Sequence, residues 1–255
     1  MKIYIPTIGN REQKTVGTLP INWLDDTIVV APLKECDTLR KSLPDLVTVV
    51  PQPSNIKGIA AVRQWIIDRE DGKILMLDDD LKFAARGEGG KLHPASGKEI
   101  ESGLVFLRMM LDEHAHGSIS TREGNNRVIE DLTYCGRPLR ALAYDCKMVK
   151  KVGARFDRIP LMEDFDMTLQ LMRAGFENFT IWDLCHDQGS SNAPGGCSTY
   201  RTPELQDKAA KELARLHPEF VKVVYKESKT SWGNGFDHKR TDVRISWKKA
   251  YESSR

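Results

Sequence analysis

The sequence contains no apolar run that approaches the roughly 20 residues needed for a membrane-spanning helix. Its start, residues 1–6, lacks the long apolar core and the small-residue cleavage site of a secretory signal. Cysteine is scarce: the five cysteines are odd in number and form no C-x-x-C pair, which excludes a zinc ribbon and a disulfide scaffold. We therefore expect a cytoplasmic protein with reduced thiols and no membrane partner.

A strong overall charge is also missing, because 38 basic and 36 acidic residues leave a net charge of +2. The charge is nevertheless uneven along the chain. Residues 222–255 hold nine Lys or Arg against four acids, or +5, so the first 221 residues carry 29 basic and 32 acidic residues, or −3. Four aromatic residues are interleaved with the basic tail: Trp232, Phe236, Trp247 and Tyr251.

Basic charge combined with aromatic faces is typical of a surface that binds a phosphate backbone and exposed bases. This pattern predicts DNA contacts by the tail residues Lys239, Arg240, Arg244, Trp247, Lys248 and Lys249. The alternative is a solvated tail whose aromatic side chains pack on the rest of the domain.

The first 80 residues alternate between short apolar runs and helical patterns. Strands are predicted at Lys2–Ile5, Thr27–Ala31, Leu46–Val50 and Lys73–Leu77. Helices are predicted between them over 34–41 and 56–67, with Ser54 or Asn55 as the cap of the second. Because such strands are apolar without alternation, we expect an α/β fold with a mainly parallel sheet, helices on both faces, and ligands at the carboxyl ends of the strands.

Three adjacent carboxylates, Asp78, Asp79 and Asp80, follow the fourth predicted strand. They repel one another, and the end of a buried strand cannot hold them unpaired. A divalent cation such as Mg²⁺ or Mn²⁺ resolves the repulsion and also binds diphosphate oxygens. A solvated acidic turn is the alternative, and the position after a buried strand favours the metal.

A second group of polar residues lies further along the chain. Glu163 and Asp164 stand where a helix ending near Gly175 is predicted to begin, so they are either catalytic carboxylates or ordinary helix-capping residues. His186 follows a predicted strand over 181–184, with Cys185 between them. A lone histidine is usually structural, but this position after a strand, like that of the Asp triplet, makes a third metal ligand credible.

The remaining segments have simpler interpretations. Residues 87–97 are predicted to form a mobile loop, 99–114 a helix, and 118–137 a polar segment without a pattern that approaches a second substrate. We expect His114 and His116 to be surface residues at a helix end rather than a metal pair. The Thr202-Pro203-Glu204 sequence opens a helix whose apolar stripe serves packing.

The chain resembles a GT-A glycosyltransferase in the order of its motifs: alternating strands and helices, the Asp triplet, Glu163-Asp164 and then His186. A narrower resemblance is to the TET-associated glycosyltransferases, which are mostly phage-encoded. It is carried by the opening I-P-T-I-G-N-R, by G-I-A-A-V-R-Q-W before L-D-D-D, by H-D-Q-G-S-S with G-G-C-S-T-Y-R, and by the final W-K-K-A. Members are thought to add sugars to hydroxymethylated pyrimidines in DNA.

The resemblance implies a GT-A-like nucleotide-diphospho-sugar transferase fold and a role for each site residue. The nucleotide-sugar donor would be bound by Pro6, Thr7, Arg11, Arg63, Asp78 and Asp79. The Mn²⁺ or Mg²⁺ ion would be held by Asp80, Asp78 and His186. Asp164 would accept the proton of the acceptor hydroxyl, and Glu163 would position the acceptor. For a phage-encoded chain, the place of action would be the host cytoplasm.

On this basis we expect a catalytic domain over 1–220, divided into a nucleotide-sugar half (1–80) and an acceptor half (81–220), with 221–255 as an extension that packs on it. Three alternatives stay open: transfer to a polysaccharide or lipid-linked sugar, a metal-dependent nuclease or nucleotidyltransferase, and a DNA-binding protein without catalysis. The donor sugar, the acceptor base, the stereochemistry and the oligomeric state are left open.

Overall fold

A computed structural model of the protein describes residues 1–188, 201–227 and 239–255. The strands are β1 (Lys2–Pro6), β2 (Thr27–Pro32), β3 (Thr48–Gln52), β4 (Lys73–Leu77), β5 (Leu81–Arg86), β6 (Leu92–Pro94), β7 (His116–Thr121), β8 (Leu132–Tyr134), β9 (Ala141–Asp145), β10 (Phe179–Gln188), β11 (Val221–Glu227) and β12 (Lys239–Ile245). The helices are α1 (Lys14–Thr18), α2 (Ile21–Leu24), α3 (Leu33–Ser42), α4 (Ile59–Arg69), α5 (Gly97–Met110), α6 (Cys146–Lys151), α7 (Glu163–Arg173), α8 (Pro203–Leu216) and α9 (Trp247–Glu252).

Ten of the described strands form one mixed sheet in the order β3-β2-β1-β4-β9-β7-β10-β5-β6, with β8 paired to β10. The pairings make seven strands run in one direction, whereas β5, β8 and β9 run in the other. The predicted α/β fold with a mixed, mainly parallel sheet is therefore confirmed. No helix in the described ranges is long and apolar enough to cross a bilayer.

Helices cover both faces of this sheet. On β1, Ile3 and Ile5 belong to the core cluster that contains Leu104 of α5, whereas Tyr4 belongs to the cluster that contains Ile66 of α4. Successive side chains of a strand point to opposite faces, so a strand buried on both sides has no polar alternation. This burial explains the continuous apolar runs of the first four strands and places their carboxyl ends together at one edge.

Two predicted boundaries in the first half are wrong by a few residues. The third strand begins at Thr48 rather than Leu46. The following helix begins at Ile59, after Gly58, and not after Ser54 or Asn55. Gly58 has a φ of 82°, a backbone conformation that glycine adopts without strain, and it turns the chain into the helix.

The predictions of a surface position for His116 and of a patternless segment over 118–137 are wrong in a more informative way, because His116–Thr121 form a central strand. β7 lies between β9 and β10, and His116 is buried rather than on the surface. Its polar side chains find partners inside the sheet, as the Ser118 Oγ and Thr180 Oγ1 atoms, 2.9 Å apart, illustrate. At Gly117 an added Cβ would lie 2.3 Å from Cζ of Phe179, so the aromatic ring fills the space of a side chain.

His116 gives the fold a pH dependence. Burial lowers the pKa of His116 to about 4, so its ring is neutral. Its Nε2 lies 3.2 Å from the carbonyl oxygen of Phe176 and is assigned as the hydrogen-bond donor. Between pH 6.5 and pH 4 the unfolded chain therefore binds a proton that the native state does not, and the free energy of unfolding falls as the pH falls. For one histidine this loss is about 2 kcal/mol between pH 7 and pH 5.

We therefore expect the His116→Gln variant to lose about 2 kcal/mol less stability than the wild type between pH 7 and pH 5. Urea denaturation at the two pH values measures the difference, with the exposed His93→Gln variant as the control. An unchanged pH dependence in His116→Gln would contradict the neutral, buried state of this side chain.

The C-terminal part of the chain forms a second, two-stranded sheet from β11 and β12. A third core cluster joins this hairpin to the helices of the main domain, with Leu169 of α7, Leu213 of α8 and Ala250 of α9 among its buried members. α8 begins with Thr202 as its cap, whose Oγ1 accepts from the backbone NH of Leu205 at 3.2 Å. The tail residues Trp232 and Phe236 lie outside the described residues.

Candidate active site

The loop that follows β1 lies against the Asp triplet that follows β4. Thr7 donates its hydroxyl to Oδ2 of Asp79 at 2.5 Å, and Gln13 donates from Nε2 to the Thr7 Oγ1 at 3.0 Å. The loop itself is held by buried Glu35, whose Oε2 accepts the backbone NH of Gly9 at 2.8 Å and of Asn10 at 3.0 Å. These hydrogen bonds hold the loop after β1 beside the carboxylates. Pro6 and Thr7, which were predicted to bind the nucleotide-sugar donor, lie at the end of β1 and at the start of this loop, respectively.

Arg11 resolves part of the repulsion within the triplet. Its Nη1 lies 2.9 Å from Oδ1 of Asp79, and its Nη2 lies 2.8 Å from Oδ2 of Asp80. The same Asp80 oxygen accepts from Nε2 of Gln188 on β10 at 3.0 Å. The guanidinium predicted to contact the nucleotide thus holds two carboxylates in place, an arrangement that the spacing of the residues did not reveal.

Arg63 on α4 connects the two acidic motifs. Its Nη1 donates to Oε1 of Glu163 at 2.7 Å, and its Nη2 donates to Oδ1 of Asp78 at 3.3 Å. Both ends of the stronger pair are nearly closed to solvent, with side-chain exposures of 8% for Arg63 and 7% for Glu163. One buried cation therefore brings the end of β4 and the start of α7 together.

Burial governs the protonation of these carboxyl groups. It raises the pKa of Asp78 to about 6, although Arg63 opposes the shift. It also raises the pKa of Glu163, again against the effect of Arg63. The direct ion pair holds the guanidinium charged, because Glu163, Asp78 and the nearby Asp164 all raise the pKa of Arg63 against the cost of its burial.

Asp164 occupies the first turn of α7 and is only half-buried, unlike its neighbour Glu163. Its Oδ1 accepts the backbone NH of Phe165 at 3.0 Å, as expected for a carboxylate at the positive end of a helix dipole. The preceding Met162 has a φ of 61°, an unfavourable conformation for a residue with a side chain. Such strain is concentrated at functional sites. Here the strained residue stands directly before Glu163, at the start of α7.

His186 lies inside the main sheet, between β5 and β7, and is fully buried. Burial lowers its pKa to about 4, so the ring is neutral. Its Nε2 lies 3.0 Å from the carbonyl oxygen of Leu139 and is assigned as the donor, which leaves a lone pair on Nδ1. Among the described residues this Nδ1 has no partner, and neither does the buried Oδ1 of Asp80.

These two atoms are the test of whether the site suits a metal ion. A histidine that donates one ring NH to a carbonyl and keeps a lone pair on the other nitrogen has the arrangement of a metal-bound imidazole. The unpaired carboxylate oxygen of Asp80 is a ligand atom of the kind that Mg²⁺ and Mn²⁺ prefer. The donor types fit, but within the described ranges no three His, Cys, Asp or Glu side chains converge on one point. The metal set of Asp78, Asp80 and His186 stays a prediction.

The structure adds a cation that the sequence analysis missed. The carbonyl oxygen of Arg140 accepts the backbone NH of Asp78 at 3.2 Å. Burial raises the pKa of Asp78 and lowers that of His186, and the Arg140 guanidinium opposes the first shift and adds to the second. Arg140 therefore lies beside both predicted ligand residues, with a φ of 58°. No local pattern marks this residue, whereas Gln188 could have been found from its spacing of two from His186 on the same strand.

The predicted DNA-binding residues of the tail differ in their surroundings. Trp247 packs edge-on against Phe165 with ring centroids 5.8 Å apart, whereas Lys249 is exposed and its Nζ lies 5.7 Å from the centroid of the Phe220 ring. Arg244 and Lys248 are exposed. Lys239 and Arg240 open β12, and their side chains lie outside the described part of the chain.

Comparison with known proteins adds a family to this geometry. A family model described as TET-Associated Glycosyltransferase matches residues 1–195. Two curated relatives, the Beta-glucosyl-HMC-alpha-glucosyl-transferases of Enterobacteria phages T2 and T6, are each 24% identical over 188 residues, which is 67% of this chain. The chain spans 65% of the length of these relatives.

Similar solved structures include GalNAc-T7 with UDP, GalNAc and Mn²⁺, at 8% identity and a TM-score of 0.47, covering 74% of this chain and 44% of that one. A putative nucleotide-diphospho-sugar transferase from Desulfovibrio desulfuricans has 11% identity and a TM-score of 0.40, covering 85% of this chain and 99% of that one.

Proposed function

The chain belongs to the TET-associated glycosyltransferase family, and from this membership we propose that it moves a sugar from a nucleotide-sugar donor to the hydroxyl of a hydroxymethylated pyrimidine in DNA. The observation that carries the proposal is the buried Arg63, which joins Asp78 at the end of β4 to Glu163 at the start of α7. The names of the phage relatives support a modified DNA base as the acceptor.

The donor side of the site is the edge where β1 and β4 end. Pro6 and Thr7 would line the nucleoside pocket, and Asp78 would bind hydroxyls of the ribose or the sugar. Asp79 is held by Thr7 and Arg11, which keeps the loop beside it in place. Asp80 and His186, with their free donor atoms, would hold the Mg²⁺ or Mn²⁺ ion together with Asp78. When bound, such an ion stabilises the negative charge on the departing diphosphate.

The acceptor side is the first turn of α7. We assign Asp164 as the base that takes the proton of the acceptor hydroxyl, because it is half-buried in the first turn of α7 and the Phe165 NH holds its Oδ1, so that Oδ2 would receive the proton. The hydroxyl oxygen then forms the bond to the anomeric carbon while the bond from that carbon to the diphosphate breaks. Glu163, held by Arg63, positions this turn rather than exchanging protons.

Melting of the protein with UDP-, GDP-, ADP- and CMP-sugars, each with and without Mn²⁺, tests the donor site. We expect one nucleotide class to raise the melting temperature in the presence of metal, since a ligand at 100 times its dissociation constant adds about 2.7 kcal/mol. Asp80→Asn should abolish the metal-dependent part of the shift, whereas Asp187→Asn, at an exposed position on β10, should retain it.

The sugar nucleotide found in this way is then incubated with DNA that contains 5-hydroxymethylcytosine, 5-hydroxymethyluracil or a glucosylated form of either base. Mass spectrometry of the digested DNA should show one added sugar per acceptor base. The absence of a shift with every sugar nucleotide, or transfer that is equal on unmodified DNA, would contradict the proposed function.

A further inference from the structure

The β11–β12 hairpin carries an unfavourable pair of like charges. Lys222 on β11 and Arg244 on β12 stand directly opposite each other in the antiparallel register, and both are exposed. Like charges at directly opposed positions destabilise a strand pair. Within the described part of the chain, neither side chain forms a hydrogen bond or an ion pair with an acid, in contrast to Lys226, which lies 2.8 Å from Oδ2 of Asp242.

The two faces of this hairpin have different surroundings. Val221, Val243 and Ile245 face the third core cluster and pack with α7, α8 and α9. By the alternation of side chains along a strand, Lys222 and Arg244 belong to the opposite face. The same face carries Lys226 and its ion-pair partner Asp242, so Lys222 and Arg244 give it an excess of positive charge for an anionic partner.

The hairpin is also held in place relative to α7, the helix that begins with Glu163 and Asp164. α9 begins two residues after β12 ends, and its first residue, Trp247, packs on Phe165. Phe165 directly follows Asp164, so the charged hairpin is attached to the turn that carries the proposed base. Lys249 donates from Nζ to the carbonyl oxygen of Glu219 at 3.3 Å, which ties α9 to the start of the hairpin.

We propose that the exposed face of the β11–β12 hairpin binds the phosphate backbone of duplex DNA, with Lys222 and Arg244 as direct phosphate contacts. The inference rests on the proposed function, because it names the surface on which the DNA acceptor lies. Lys222 was not among the residues that the basic tail predicted, and Trp247 and Lys249 act in this arrangement as supports. A phosphate between Lys222 and Arg244 offsets the repulsion that the free protein retains.

The test is fluorescence anisotropy with labelled 20-base-pair duplexes, with and without one 5-hydroxymethylcytosine, between 50 and 300 mM salt. In Lys222→Gln/Arg244→Gln the slope of log affinity against log salt should fall in magnitude by about 1.8, and affinity at 100 mM salt by about 10- to 100-fold. Both duplexes should lose affinity equally, since phosphate contacts carry no base information.

The matched control is Lys147→Gln/Lys151→Gln, which removes the same charge from α6. This helix follows the end of β9 that pairs with Lys73, at the edge of the main sheet opposite the Asp triplet. Its slope and affinity should stay within twofold of the wild type. Lys249→Gln should lower the melting temperature and leave the salt slope unchanged.

Arg244→Glu separates DNA binding from folding, because it turns the like-charge pair into an opposite-charge pair. We expect a melting temperature equal to or above that of the wild type together with weaker DNA binding. A lower melting temperature with unchanged DNA affinity would assign Arg244 to folding and overturn the proposal.

The proposed surface and the proposed function can fail separately. An unchanged salt slope in Lys222→Gln/Arg244→Gln, with sugar transfer to DNA intact, overturns the surface and leaves the function. A reduced slope in that variant, with no transfer by the wild type from any donor, overturns the function and supports the surface. A wild-type protein that binds phosphatidylserine vesicles but neither duplex at 50 mM salt overturns the surface.

Discussion

Asp164→Asn is expected to slow sugar transfer by about 10²- to 10⁴-fold, which is the range for loss of a positioned general base. The asparagine can still accept the Phe165 NH through its side-chain oxygen, so the first turn of α7 should remain intact. What is lost is the carboxylate that would take the proton of the acceptor hydroxyl. The effect should therefore appear in kcat, with little change in the melting shift caused by the donor.

Single-turnover transfer to hydroxymethylated DNA at saturating donor measures this change directly. Glu204→Gln is a suitable control, because Glu204 is also in the first turn of a helix but is exposed and distant in the chain. It should transfer sugar at the wild-type rate. A rate for Asp164→Asn within threefold of the wild type would show that another group, or no protein base, accepts the proton.

The second large effect is on folding. Replacing Arg63 with methionine should lower the free energy of unfolding by about 3–5 kcal/mol, because it removes one partner of a buried ion pair. Glu163 and Asp78 would then be left without the cation that compensates their burial. Sugar transfer should be lost as well, since the same guanidinium holds the start of α7 against the end of β4.

Urea denaturation at pH 7.5 gives the loss of stability for this variant. Arg69→Met is the matched control: it lies on the same helix, is exposed, and places its guanidinium 4.4 Å from the Trp65 ring. An exposed cation–π contact of this kind contributes about 0.5–1 kcal/mol. Equal losses for Arg63→Met and Arg69→Met would mean that the buried bridge contributes no more than a surface contact.

A double substitution separates the ion pair from the packing of its side chains. In Arg63→Met/Glu163→Leu neither partner of the shorter pair is left charged, so the double variant should be more stable than Arg63→Met alone. Because the two residues are in contact, their effects should not add. Additive losses would indicate that Arg63 stabilises the fold independently of Glu163.

Much of the frame could be predicted from local sequence. Apolar runs ended by Pro32 or by the Asp triplet marked β2 and β4, because a strand buried on both faces must be apolar throughout. The same reasoning failed for β7, which has Ile119 as its one large apolar side chain. Its Ser118 bonds to Thr180 on β10, and its Gly117 leaves space for Phe179, and neither partner is near in sequence.

The site shows the same division. The positions of the Asp triplet after β4 and of Glu163-Asp164 at the start of α7 follow from local signals alone: an apolar run before the first, and a helical pattern after the second. Local sequence patterns do not predict that Arg11 forms ion pairs with Asp79 and Asp80. Separations of 68 and 69 residues carry no local pattern, so the pairing exists only once β1 and β4 lie side by side.

The sequence by itself therefore determined the α/β fold, the positions of the acidic residues of the candidate site after β4 and at the start of α7, and the basic character of the tail. Each of these depends on composition or on a period of two to four residues. The tertiary structure decided which charges pair: Arg63 with Glu163, 100 residues away, and Lys222 opposite Arg244 on the exposed face of the hairpin. The physical reason is that burial and pairing are properties of surfaces brought together by folding, so a charge acquires its role only when the opposing surface is present.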